Sequence, residues 1–166
     1  SNRVEITFID ESWNRYSEWM QFDGQNGTGA FNPGFNPVMT IMDMDSKISD
    51  AAFNAYKVVN SSQSWAPSGC DFTLMPISVS DSAFFHVSKF WFGTQDNTSE
   101  NPGLEILDAM QWRIQYDVKG TIDCQAKFLY SFNEYTNLNH ETTDTLSIVY
   151  RPNNSSEWSV VSQQWY

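Results

Sequence analysis

A chain of 166 residues fits one domain of ordinary size and can bury a core without metals or many disulfides. Its net charge of −11 repels phosphate backbones and anionic headgroups, which excludes nucleic acid and acidic membrane surfaces as expected partners. With 40% hydrophobic residues, 7 Trp, 7 Tyr and 12 Phe, it is too aromatic for a disordered chain, and no apolar run approaches the roughly 20 residues of a membrane span.

The opening "SNRVEITFI" carries no leader pattern and reads as the start of an excised mature domain. Val4 to Ile9 alternates as a strand, and "SEWMQF" (Ser17 to Phe22) is a second. Asp23 to Pro37, dense in Gly, Asn and Pro, predicts a loop. "VMTIMDM" and "FNAYKVV" predict further strands, separated from the next by a loop that carries Trp65. In "CDFTLMPISV", Pro76 marks an edge or a bulge. "AFFHVSKFWF" (Ala83 to Phe92) is expected to be a strand buried on both sides for part of its length, and "NPGLEILDA" offers the one helical turn. In "MQWRIQYDV", Trp112, Ile114, Tyr116 and Val118 share one face, and Arg113, Gln115 and Asp117 form an opposite, wet face. Lys119-Gly120 turns the chain so that "CQAKFLYSF" pairs back. The chain closes on "DTLSIVYRPNNSSEWSVV". Pro152 to Ser156 makes the turn there, and Trp158 is expected to be largely buried against Tyr150 or Ile148.

Short strands at this spacing, about ten of them, predict a single all-β domain over 1–166, an antiparallel β-sandwich of jelly-roll or immunoglobulin-like kind. Cys70, Trp91 and Cys124 follow the immunoglobulin order, but Ile122 stands where a tyrosine corner would place Tyr. The two cysteines either pair, closing a loop worth roughly 4 kcal/mol, or remain buried thiols.

From His86 onward, the order "HVSKFWF", "LEILDAMQWRIQYDV", "CQAKFLYSFN", "DTLSIVYRPNNSSEWSVV" resembles the all-β accessory domain of large secreted Bacteroidota proteins. Those domains often lie between a catalytic module and a type IX secretion sorting domain. The resemblance covers residues 84–161 and rests on Trp112-Arg113, on "KFLYSF", and on the Asp-x-Leu-x-Ile-x-Tyr-Arg run that closes on Glu-Trp. It implies a non-catalytic β-sandwich, secreted or at the cell surface, that packs against or extends neighbouring domains of its chain.

Side-chain patterns add little chemistry. His86 and His140 stand far apart, with no H-E-x-x-H, C-x-x-C or G-x-S-x-G around them. "DGQNGTG" lacks the lysine and helix of a phosphate loop. Any two of 20 acidic residues could be nominated as a glycosidase pair, so no enzyme activity is expected of this domain. His86, within an aromatic strand, is expected to be a hydrogen-bonded core or rim residue. Calcium is the one cofactor weighed: Asp43 and Asp45 on one strand face, with Asp23 and Asn26 in the glycine-rich loop, supply hard oxygen ligands, or else simply turn the chain. The alternative function is carbohydrate binding, with Trp13 and Trp65 as stacking platforms and Asn14 beside Trp13 for hydroxyls.

Overall fold

The computed structural model describes residues 3–24, 26–48, 51–93, 106, 110–129, 147–153 and 156–161. Their strands are β1 (Arg3–Ile9), β2 (Arg15–Asp23), β3 (Asn26–Gly27), β4 (Met39–Met42), β5 (Ala52–Val59), β6 (Phe72–Val79), β7 (Ser82–Phe90), β8 (Gln111–Lys119), β9 (Ile122–Phe128), β10 (Val149–Tyr150) and β11 (Ser159–Val160). The fold is all-β and antiparallel, as expected. The chain divides into two compact units, Ser1–Trp91 with Gln111–Leu129, and Phe92–Met110 with Tyr130–Tyr166. The expected helical turn and His140 lie outside the described residues.

In the first unit, β7 is the middle strand of the sheet β5-β7-β8. Every residue from Ala83 to Lys89 is buried, which is why its sequence shows no polar alternation. On one face, Ala83, Phe85 and Val87 join Val59, Ile114 and Val118 of the flanking strands. The β6-β9 sheet covers them with Phe72, Leu74, Ile122 and Phe128. On the other face, Phe84 meets Ile9 and Ile41 from the sheet β3-β2-β1-β4 and Met44 from the turn after β4. The β5-β7-β8 sheet is therefore packed on both faces, a sandwich arrangement that buries aromatic and branched side chains on each side.

The β9 strand does not pair back onto β8. It pairs with β6, from Phe72↔Phe128 to Val79↔Ile122, with the register shift at Pro76/Ser78 where Pro76 predicted an irregularity. Two adjacent corners carry the chain between these sheets. Gly120 has φ +75, Ser80 N–H donates to the Thr121 carbonyl at 3.0 Å, and Ser80 Oγ accepts from Thr121 N–H at 2.8 Å. A Cβ on residue 120 would run into Ser80 Oγ. Gly120→Ala is expected to cost about 1–3 kcal/mol, from left-handed strain and the lost corner contact, read from the urea midpoint.

The Asp23–Pro37 segment is not wholly loop. Asp23 pairs with Asn26 and Phe22 with Gly27 in a tight hairpin. Phe31 then returns to Phe8 at 5.3 Å between centroids.

The second unit shows one described hairpin, with Val149↔Val160 and Tyr150↔Ser159 paired. This register sets Trp158 on the face of Val149 and Arg151. The expected packing onto Ile148 or Tyr150 is therefore corrected. Trp158 is half-buried, with the Arg151 guanidinium 4.4 Å from its ring centroid.

Candidate functional site

Residues nominated from the sequence are mostly committed to the fold. Trp13 lies in the β1–β2 connection at φ 65, held there by Trp13 N–H donating to the Asp10 carbonyl. Its indole Nε1–H donates to Ser82 Oγ at 3.1 Å, and its ring packs on Phe84 with Lys119 Nζ 5.2 Å from its centroid. Asn14 spends its amide on Asp10 Oδ2 at 2.9 Å, the largest of the causes that lower the Asp10 pKa. Trp65 exchanges two backbone hydrogen bonds with Leu74 and packs edge-on to Phe72. Neither tryptophan is a free stacking platform, because each ring closes a core cluster.

The calcium candidates are not brought together as ligands either. Asp23 and Asn26 are cross-strand partners in the tight hairpin. Asp43 and Asp45 follow β4 in a turn rather than sharing a strand face. Asp43 has φ 48, and its carbonyl accepts from Ser46 N–H at 3.1 Å. The Asp43 carboxylate accepts from Lys47 N–H at 2.8 Å and Ile48 N–H at 3.3 Å, and Asp45 pairs with Arg15 at 3.6 Å. Among the described residues, no three His, Cys, Asp or Glu side chains are grouped to hold a metal ion.

Cys70 and Cys124 are free thiols, so the disulfide left open by the sequence is not formed. Cys70 is buried, and its S–H donates to the Phe53 carbonyl at 3.6 Å. Burial raises both thiol pKa values, so both resist ionisation. Trp91, 41% exposed, does not pack on a cystine as an immunoglobulin tryptophan would.

A site the sequence did not single out lies on the β5-β7-β8 face that also carries Phe84. Strand register lays polar side chains there in two rows. Asn54, Ser88 and Arg113 are direct cross-strand neighbours, and Tyr56, His86 and Gln115 form the next row. Side chains in such rows stand about 5 Å apart, and diagonal neighbours about 7–8 Å. With Asp43 and Ile48 from the β4 turn, all of these except Tyr56 line a cleft of about 250 Å³. Asn54 fastens the two walls, its Nδ2–H donating to the Asp43 carbonyl at 3.1 Å.

His86 forms the floor at 2% exposure, and neither ring nitrogen has a hydrogen-bond partner. The expectation of a hydrogen-bonded histidine therefore fails. The Gln115 amide approaches the ring without an aligned bond. Burial lowers the His86 pKa to about 4, with Gln115 opposing and the Arg113 charge adding to the shift. The imidazole is thus neutral at ordinary pH, with one donor and one acceptor left unmet at the floor of the cleft. Arg113 is exposed and lies 5.3 Å from the Phe90 ring centroid. No carboxylate of the described residues forms an ion pair with it.

The period-2 pattern of β8 had marked Arg113 and Gln115 as a wet face. That face proves to be a cleft wall. A second hollow, of about 260 Å³ beside Asp10, Glu11 and Ser12, has its Asp10 oxygens occupied by its own turn. Comparison of the chain with protein-family models, curated proteins and solved structures finds no match.

Proposed function

We propose that the chain is a non-catalytic accessory module of a secreted or cell-surface multidomain protein, of the kind carried by large Bacteroidota cargo proteins, and that it packs against a neighbouring domain. The observation that supports this is an aromatic pair left on the surface of the first unit. Phe53 is 47% and Trp91 41% exposed, and their rings meet edge-on at 6.4 Å. The pair is built rather than incidental. Gly69, at φ +81, lets the Phe53 ring lie on its turn where a Cβ would come within 2.8 Å, and Lys89 Nζ supports Trp91 from 3.6 Å. Exposed rings in fixed positions supply contact area at low entropy cost, as docking surfaces require.

Phe53→Ser in the full parent polypeptide is expected to release the neighbouring domain and speed proteolysis at the junction severalfold. The isolated chain should unfold within about 1 kcal/mol of the unaltered one, because the ring is half outside. Unchanged proteolysis, or turnover by the isolated chain in a substrate screen, would reject this function.

A further inference from the structure

We propose that the cleft floored by His86 binds a small hydroxylated carboxylate of monosaccharide size, a sugar acid, with Arg113 taking the carboxylate. This site is separate from the Phe53–Trp91 surface and does not depend on the docking role.

Three features carry the assignment. The first is the buried and unpartnered imidazole. Leaving a polar group buried without a partner costs free energy, and His86 lines the cleft, so a molecule that seats against the ring and draws its buried nitrogens into contact supplies those partners. A neutral ring must be met by one acceptor and one donor, which a hydroxyl-bearing molecule supplies and a simple inorganic anion does not. The second is Arg113, whose guanidinium at the cleft is left without a carboxylate partner among the described residues. Its planar fork matches a carboxylate, and one positive charge sets a preference for one negative charge. The third is the remaining lining. Asn54, Ser88 and Gln115 add amide and hydroxyl groups in register around His86, while the one lining carboxylate, Asp43, has its oxygens turned to Lys47 and Ile48 amides. A volume of about 250 Å³ lies below the range of drug-sized pockets, which selects a single ring or short chain over an oligosaccharide.

The test is NMR titration of the chain's two histidines, His86 being assigned by His86→Gln, with D-glucuronate, glucose and acetate as the probes. Glucuronate is expected to shift the His86 ring signals saturably and to raise the pKa of that imidazole. Glucose and acetate should bind at least about tenfold more weakly, because each lacks one half of the recognition. Arg113→Gln, an exposed change whose fold is checked by circular dichroism, should weaken glucuronate about tenfold and leave the weak binding of glucose unchanged. Three outcomes would each overturn the assignment: no saturable His86 shift with glucuronate, glucose binding as tightly as glucuronate, or equal affinity in Arg113→Gln.

Discussion

Asp71→Asn is expected to destabilise the first unit by about 2–3 kcal/mol, and adding Lys89→Met should recover most of that loss. Lys89 is fully buried on the apolar side of β7, where register sets it between Phe53 and Trp112. Its ammonium is held by the Asp71 carboxylate and lies 3.6 Å from the Trp91 ring centroid. The two partners are unequal. The Asp71 side chain is 42% exposed and keeps much of its hydration, so the lysine carries the desolvation cost. Removing the carboxylate charge leaves a buried cation with only a ring face and whatever water reaches past residue 71. That places the effect below the range for a fully buried pair.

Asparagine is the right substitute because Asp71 has φ 47, a conformation Asn tolerates and Ala does not. The turn itself keeps other anchors. Trp112 Nε1–H donates to the Cys70 carbonyl at 2.7 Å, and Leu129 N–H donates to the Asp71 carbonyl at 2.8 Å. The change is therefore electrostatic and not a loss of the turn. In the double variant, methionine fills the lysine's path with no charge to desolvate. Urea unfolding followed by tryptophan fluorescence measures both steps. A single variant within about 0.5 kcal/mol of the parent would show that the pair contributes nothing.

The same few residues show what a sequence can and cannot disclose. Burial of β7 on both faces was legible because "AFFHVSKF" has no solvent-facing period, and the β8 alternation was legible for the opposite reason. Pro76 announced its bulge because proline cannot donate to a ladder. Pairing was not legible. Nothing in the period of β9 says that its partner is β6, since that choice is made by the Ser80 and Gly120 corners and by core area far away in sequence. Trp13 and Trp65 looked exposed because their neighbours are polar. Their turns point the rings inward instead, through backbone bonds to Asp10 and Leu74. The cleft was half legible. Arg113 and Gln115 read as polar, and His86 as buried, but their juxtaposition across β7 and β8 is a long-range register that only the fold sets.

That juxtaposition has a consequence for acid stability. Lowering the pH from about 6.5 to about 4 is expected to destabilise the first unit through His86 by about 2–3 kcal/mol, with only about 0.4 kcal/mol more lost from this residue at lower pH. In the unfolded chain the imidazole takes a proton near pH 6.5. In the folded protein it resists until about pH 4, because burial disfavours the cation. Between those values the unfolded state binds more protons, so stability rises with pH across the window. Above it both states are neutral there, and below it both are charged. The groups facing His86 do not reverse the sign. Arg113 from β8 reinforces the depression, while Gln115 from β8 and Asp45 from the turn after β4 oppose it more weakly than burial acts. Asp43 from that turn has its carboxylate engaged by Lys47 and Ile48 amides. Protonation elsewhere in the chain is common to parent and variant, so the measurement is a difference. Urea midpoints of the parent and of His86→Gln are compared at pH 7.5 and pH 4.5. The parent should lose about 2 kcal/mol more than the variant over that interval. Parallel losses in the two proteins would mean that His86 finds a proton as readily in the fold as in water, and the buried, unpartnered imidazole at the floor of the cleft would then be excluded.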